Sequence, residues 1–154
     1  MNIGVISDTH GHLPNAVHDV FAGVDHILHA GDVGPMDVIT ELEAIAPVSA
    51  VLGNTDYVIQ LPQTHVQTFV GRKFLVHHIV DLPTPSQMVR EAIADEQPDV
   101  VVFGHTHITC NEHHNGILYL NPGSVTNPRG GNAPSIATVQ CTKSGLNVQF
   151  VALT

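Results

Sequence analysis

Seven side chains able to bind a metal ion fall into five short groups: Asp8 and His10, Asp32, Asn54, His77, and His105 with His107. Carboxylate, imidazole and amide oxygen make a mixed donor set without a thiolate. Such a set suits Mn, Fe, Zn, Co or Ni and argues against a structural cysteine-type zinc site. The spacings Asp8-Thr9-His10 and His105-Thr106-His107 say more than a lone histidine would. Alternate residues of an extended segment point the same way, so each pair could hold one ion. Seven donors exceed the needs of one four- or five-coordinate ion and suit two ions that share a ligand. Asp32 is the natural bridge, because one carboxylate can offer an oxygen to each ion. Two divalent ions roughly 3.5–4 Å apart are a device for displacement at phosphate esters, and they lower the pKa of a bridging water so that hydroxide can attack. Set against Asp8, Asp32 and one hydroxide, the ions leave a single positive charge, which would attract a phosphodiester anion.

These groups can act together only if the chain gathers them. Each follows an apolar run rich in β-branched residues: NIGVIS, HILHA, APVSAVL, KFLV and PDVVVF. Short apolar runs bounded by polar residues or glycine read as buried strands. In parallel sheets the carboxyl ends of the strands, and the loops after them, meet at one edge where ligands bind. Strands are expected at 2–6, 25–29 and 47–52, with helices at 14–22 and 35–46, each opened by a proline. This β-α-β-α-β order is the mark of a parallel, helix-covered sheet. Further strands are expected at 64–70 and 73–78, joined by a tight turn at Gly71-Arg72, then a helix at 85–96 and a buried strand at 99–103. Beyond residue 108 come short strands at 108–113, 117–120, 135–141 and 146–152, turning at Asn115-Gly116 and Ser144-Gly145. The expected architecture is α/β: two sheets face to face with helices outside, one sheet built mainly by the early units and the other mainly by the C-terminal strands.

Composition narrows the classes of function. At 154 residues the chain is expected to form one domain, residues 1–154. The formal charge of −9, with only five Lys and Arg, argues against a phosphate-backbone footprint for DNA or RNA. Positive charge for a phosphate would have to come from metal. No run approaches the ~18 apolar residues of a membrane span, and no signal-peptide pattern opens the chain, so a cytoplasmic location is expected. Cys110 and Cys141 are not a CxxC pair and are expected to be free, mostly buried thiols.

Five segments together carry a resemblance: Ser7-Asp8-Thr9-His10-Gly11, His29-Ala30-Gly31-Asp32, Gly53-Asn54-Thr55-Asp56, Gly104-His105-Thr106-His107 and Asn121-Pro122-Gly123-Ser124. In this order, and over nearly the whole chain, they resemble the calcineurin-like metallophosphoesterases, more narrowly the small YfcE-like phosphodiesterases of bacteria and archaea. The resemblance implies a four-layer αββα sandwich. It implies a first metal held by Asp8, His10, Asp32 and His107, and a second held by Asp32, Asn54, His77 and His105. The ions would be divalent, manganese first, with Ni, Fe, Zn, Co or Mg as other occupants. Two departures stand out. Thr55 occupies the place where larger relatives carry a proton-donating histidine, and His77-His78-Ile79 replaces a His-Gly-His motif.

The expected activity is phosphodiester hydrolysis by a metal-bridging hydroxide acting on a small phosphoester. Asn54 and His78 are candidates to touch substrate or assist catalysis, and Ser124 is a candidate substrate contact. His12 could act as a general acid and Arg129 as a phosphate clamp, while His29 is expected to brace the scaffold under Asp32. The alternative is a scaffold of weak or no activity, like the retromer subunit that shares this fold. A homo-oligomer, dimer or tetramer, is compatible with the resemblance.

Overall fold

In the computed structural model, which describes residues 1–153, the order is β1 (Asn2–Ile6), α1 (Ala16–Val20), β2 (His26–His29), α2 (Asp37–Glu43), β3 (Val48–Ala50), β4 (Thr64–Phe69), β5 (Arg72–His77), α3 (Gln87–Glu96), β6 (Val100–Val102), β7 (Thr109–His114), β8 (Ile117–Pro122), β9 (Ser135–Cys141) and β10 (Leu146–Ala152). Every strand and helix expected from hydrophobic pattern is present, the helices somewhat shorter. The N–H groups of Val17 and Val38 bond to the carbonyls of Pro14 and Pro35, so each proline sits in the turn that opens its helix.

The strands form two five-stranded sheets, β10-β9-β1-β2-β3 and β4-β5-β6-β8-β7. Between them lies an apolar layer that includes Val5, Leu28, Phe74, Val76, Val102 and Leu120. On the outer face of the first sheet, Val17, Phe21, Ile39 and Leu42 of α1, α2 and their flanks cover Ile6 and Ile27. On the outer face of the second, Val89, Ala92 and Ile93 of α3 cover Leu75 and Val101. The result is the four-layer αββα sandwich. No helix among the described residues is long and apolar enough to cross a membrane.

One expectation about sheet membership is corrected. The last hairpin, β9–β10, does not join the other C-terminal strands; it completes the first sheet, with β9 antiparallel to β1. The reason is burial. Residues 3–6 of β1 are all buried, which requires β1 to be interior and to have a neighbour on each side. Parallel β2 supplies one and β9 the other, while β10, with its alternating exposure, takes the edge. The tight turn of the β4–β5 hairpin is also shifted by one residue. Phe69 pairs with Arg72, and Val70 and Gly71, with φ of 50° and 78°, are its two central residues, as a type I′ turn requires.

Strands β1, β2 and β3 run parallel in one sheet, and β5, β6 and β8 in the other. The loops after β1, β2, β3, β5 and β6 therefore emerge at shared sheet ends. Backbone bonds join neighbouring loops within each sheet: Asp8 N–H to the Gly31 carbonyl at 3.0 Å and His10 N–H to that of Asp32 at 2.9 Å in the first, and Gly104 N–H to that of His78 at 3.0 Å in the second.

Candidate metal centre

The loops converge by backbone turns rather than by extended alternation. Asp8, His10, Asp32, His105 and His107 have φ between 47° and 66°, and they are five of the eight non-glycine residues with positive φ among the described residues. Each such residue costs about 1–3 kcal/mol unless its surroundings enforce it, and such residues concentrate at functional sites. The Asp-x-His and His-x-His pairs are thus not extended, and the second pair does not share one position. His107 faces Asp8, whereas His105 faces Asn54. Close approach of the loops needs glycine at two places. A Cβ on Gly53 would collide with Asp32, and one on Gly104 with Ser7.

One half of the centre is a set of four donors, from Asp8, His10, Asp32 and His107, whose ligand atoms all lie within 4.8 Å of one another. The Asp8 carboxylate is fully buried. Its Oδ2 accepts from Ser7 Oγ at 2.7 Å and His105 N–H at 3.2 Å. Its Oδ1 is the one buried side-chain oxygen or nitrogen among the described residues without a hydrogen-bond partner. Facing it at 3.1 Å is His107 Nε2. His107 Nδ1 lies 2.6 Å from the Asn127 carbonyl, an acceptor only, so the neutral ring carries its proton on Nδ1 and turns a lone pair toward Asp8. A buried arrangement in which lone pairs face one another is stable only around a cation.

The other half repeats this logic. His78 Nδ1 donates to the Ala30 carbonyl at 2.7 Å, leaving Nε2 at 3.0 Å from Asn54 Oδ1 and 3.4 Å from Asp32 Oδ2. His105 Nδ1 lies 2.9 Å from the same Asn54 oxygen. Burial pulls the His78 pKa down, but the bond to Asp32 and the charges of Asp8 and Asp32 outweigh it and raise the pKa above its ordinary value. Burial pushes the Asp32 carboxyl up, yet bonds to His78 and the Thr55 backbone outweigh it and hold its pKa below the usual range.

Four expectations change here. His77 is not among the gathered donors: its ring is bonded to Thr64 Oγ1 at 2.8 Å, and His78 stands in the expected place. Side chains alternate along β5, so His77 shares the outer, α3-covered face with Leu75, while His78 follows Phe74 and Val76 toward the inner layer. With His78 as the donor, Ile79 and buried Val80 stand where the resemblance implies Gly and His. His78 is also only 2% exposed with both ring nitrogens engaged, which removes it as a substrate contact or proton donor. The Asp32 carboxylate does not offer an oxygen to each side: Oδ1 accepts from Thr55 N–H at 2.9 Å, and Oδ2 alone faces His10 at 3.8 Å and His78 at 3.4 Å. Ser124, finally, is fully buried. Its hydroxyl donates to the Asp8 carbonyl at 3.0 Å and accepts from the N–H groups of Thr126 and Asn127, so it braces the loops and has no access to substrate.

Other braces lie beneath the donors. Buried His29 accepts from Gly31 N–H at 3.2 Å and donates to Thr9 Oγ1 at 2.9 Å; burial pushes its pKa down to about 3, so it is neutral. Asp56 and Asn121, both members of the quoted motifs, brace the donor loops. The Asp56 carboxylate accepts from the N–H groups of Val33, Gly34 and Gly53 at 3.1, 3.0 and 2.8 Å, clamping the Asp32 and Asn54 loops together. Buried Asn121 donates to the Gly104 carbonyl at 2.8 Å and Thr106 Oγ1 at 3.0 Å, fixing the His105–His107 loop. Polar residues enriched in turns are a signal for such braces, but their partners are distant in sequence.

A cavity of about 410 Å³ opens over the donors, lined by His10, Asp32, Asn54, Thr55, His105, His107 and, from the long loop, Thr126, Asn127 and Arg129. Arg129 is the one Lys or Arg lining it. His12 does not line it. Both cysteines are free, Cys141 buried and Cys110 half-buried.

Comparison with known proteins agrees with this geometry. Residues 1–144 match the family model described as the calcineurin-like phosphoesterase superfamily domain. A probable metallophosphoesterase of Methanothermobacter thermautotrophicus is 37% identical over 98% of this chain and 92% of its own length. The phosphodiesterase YfcE of Escherichia coli K12 is 33% identical over 88% of this chain and 85% of its own. Among solved structures, Vps29 of Entamoeba histolytica complexed with zinc superposes with a TM-score of 0.79 over 98% of each chain. At 21% identity that likeness speaks to the fold alone.

Proposed function

The chain belongs to the calcineurin-like phosphoesterase superfamily, and from that premise we propose that it is a metal-dependent phosphodiesterase acting on small phosphoesters. Asp8, His10, Asp32 and His107 hold one divalent ion; Asp32, Asn54, His78 and His105 hold a second, with manganese the first candidate. The observation that carries this reading is the orphaned Asp8 Oδ1 opposite the His107 lone pair at 3.1 Å. When bound, such ions polarise phosphoryl oxygens and lower the pKa of water.

The chain's own residues do the rest. Asn54 is exposed at the cavity wall, where its amide can donate to a phosphoryl oxygen. Arg129 contributes a cation that a protein of net charge −9 otherwise lacks near the site. Thr55 fills the place of the leaving-group acid, and the histidines lining the cavity are all in the donor set. Chemistry without a dedicated proton donor favours leaving groups that depart as stable anions. Asp56 and Asn121 hold the donor loops at fixed separation, so little reorganisation accompanies binding.

Hydrolysis of bis-p-nitrophenyl phosphate tests the reading. Protein stripped with a chelator is expected to be inactive, and manganese should restore turnover at least about 100-fold, the scale of a lost metal-type charge stabilisation. Stoichiometric metal uptake with no turnover of any ester would instead place the chain with the scaffolds of this fold.

A further inference from the structure

Beside the metal cavity lies a second hollow of about 500 Å³, and the two share Asn54 as a wall. Its character is different. Leu52, Tyr57, Ile79 and Met88 line it with hydrocarbon and one aromatic ring, and Gln63 adds a neutral amide. No Lys or Arg lines it, and the carboxylate of Asp56 at its floor is already bonded to three backbone N–H groups. Its other polar side chains are engaged within the protein, His77 with Thr64 Oγ1, His78 with the Ala30 carbonyl and Asn54, and Ser86 as acceptor from Val89 N–H, so no Lys or Arg awaits a second phosphate. Tyr57 is 87% exposed and Met88 54% exposed: two large apolar side chains stand in water at the rim, free to close on a flat group. Exposed apolar surface next to a polar site marks a binding region.

We infer that this hollow receives the uncharged aromatic substituent of a phosphodiester whose phosphoryl group sits among the metal ligands, so that the substrates are aryl or heteroaryl esters. This rests on the function proposed above. A phosphodiester carries two substituents, and the position of Asn54 in both walls lets one molecule span both hollows. The ring would lie against Tyr57 and the Met88 thioether, both favourable partners for an aromatic face.

The test uses two ligands that differ only in the substituent, phenylphosphonate and methylphosphonate, with the zinc-loaded protein carrying ¹³C-methyl methionine. The chain has three methionines, Met1, Met36 and Met88, and only Met88 lines the hollow. Phenylphosphonate is expected to bind about tenfold more tightly than methylphosphonate, in line with the value of stacking one ring on an aromatic side chain. It should shift the Met88 methyl resonance, which methylphosphonate leaves in place. Tyr57→Ala is expected to erase the preference for phenyl. Equal affinities with a silent Met88 methyl would overturn the inference while leaving the metal reading intact. Failure of both phosphonates to bind would overturn the inference and the metal reading together. A dimer that dissociates on Tyr57→Ala would show that a second copy of the chain covers the hollow, and would overturn the inference as well.

Discussion

Asp32→Asn is expected to lower turnover of bis-p-nitrophenyl phosphate by about 10³-fold, the scale of losing a preorganised charge from an active site. Asp32 Oδ2 faces both halves of the centre, at 3.8 Å from His10 and 3.4 Å from His78, closer to each than Asp8 Oδ1 at 4.0 and 3.9 Å. In the variant the amide oxygen can keep the bond from Thr55 N–H, so the fold should hold. The amide nitrogen then points into the centre. There it donates to the lone pair of His78, satisfying without metal the atom that otherwise demands a cation. Metal content, turnover and thermal unfolding measured on the same preparation check this. Wild-type metal content with wild-type turnover would remove Asp32 from the account.

The second large effect separates two adjacent histidines. His78→Ala is expected to weaken metal binding by at least about 100-fold, more than the 10–100-fold typical of a residue that only orients a ligand. His77→Ala should change metal affinity by less than about threefold, because its ring is tied to Thr64 and shares its face with Leu75. Titration calorimetry with manganese on both variants decides the matter. Equal losses, or a loss confined to the His77 variant, would mean that strand parity had been misassigned.

That pair also shows where sequence reading reaches its limit. The run Lys73-Phe-Leu-Val-His-His78 reveals a strand ending in two candidate donors. Which face of the strand looks inward depends on partners far away: Phe74 and Val76 pack against the first sheet, Leu75 against α3. Either parity satisfies the local pattern, and a one-residue slip exchanges the faces. The Asp-x-His motif has the same ambiguity. Its spacing reads as alternation along a strand, yet Asp8 and His10 both adopt positive φ, a choice enforced by bonds to Gly31 and Asp32 from another loop.

Local signals fared better where one segment carried its own instructions. Asn115-Gly116 with φ of 52° and 79° forms the turn its residues specify, and the β-branched runs became the buried strands β1, β2 and β6. The placement of β9 beside β1 was not legible, because it follows from the burial of β1 on both faces rather than from any feature of residues 135–141. Asp56 and Ser124 were visible as motif members, but the bonds by which they tie separate loops together reach backbone groups more than twenty residues away.

Anomalous scattering from crystals soaked in millimolar manganese addresses the central claim most directly. Two peaks are predicted: one enclosed by Asp8, His10, Asp32 and His107, the other by Asp32, Asn54, His78 and His105. An empty centre under those conditions, or a single ion bound elsewhere, would contradict the account.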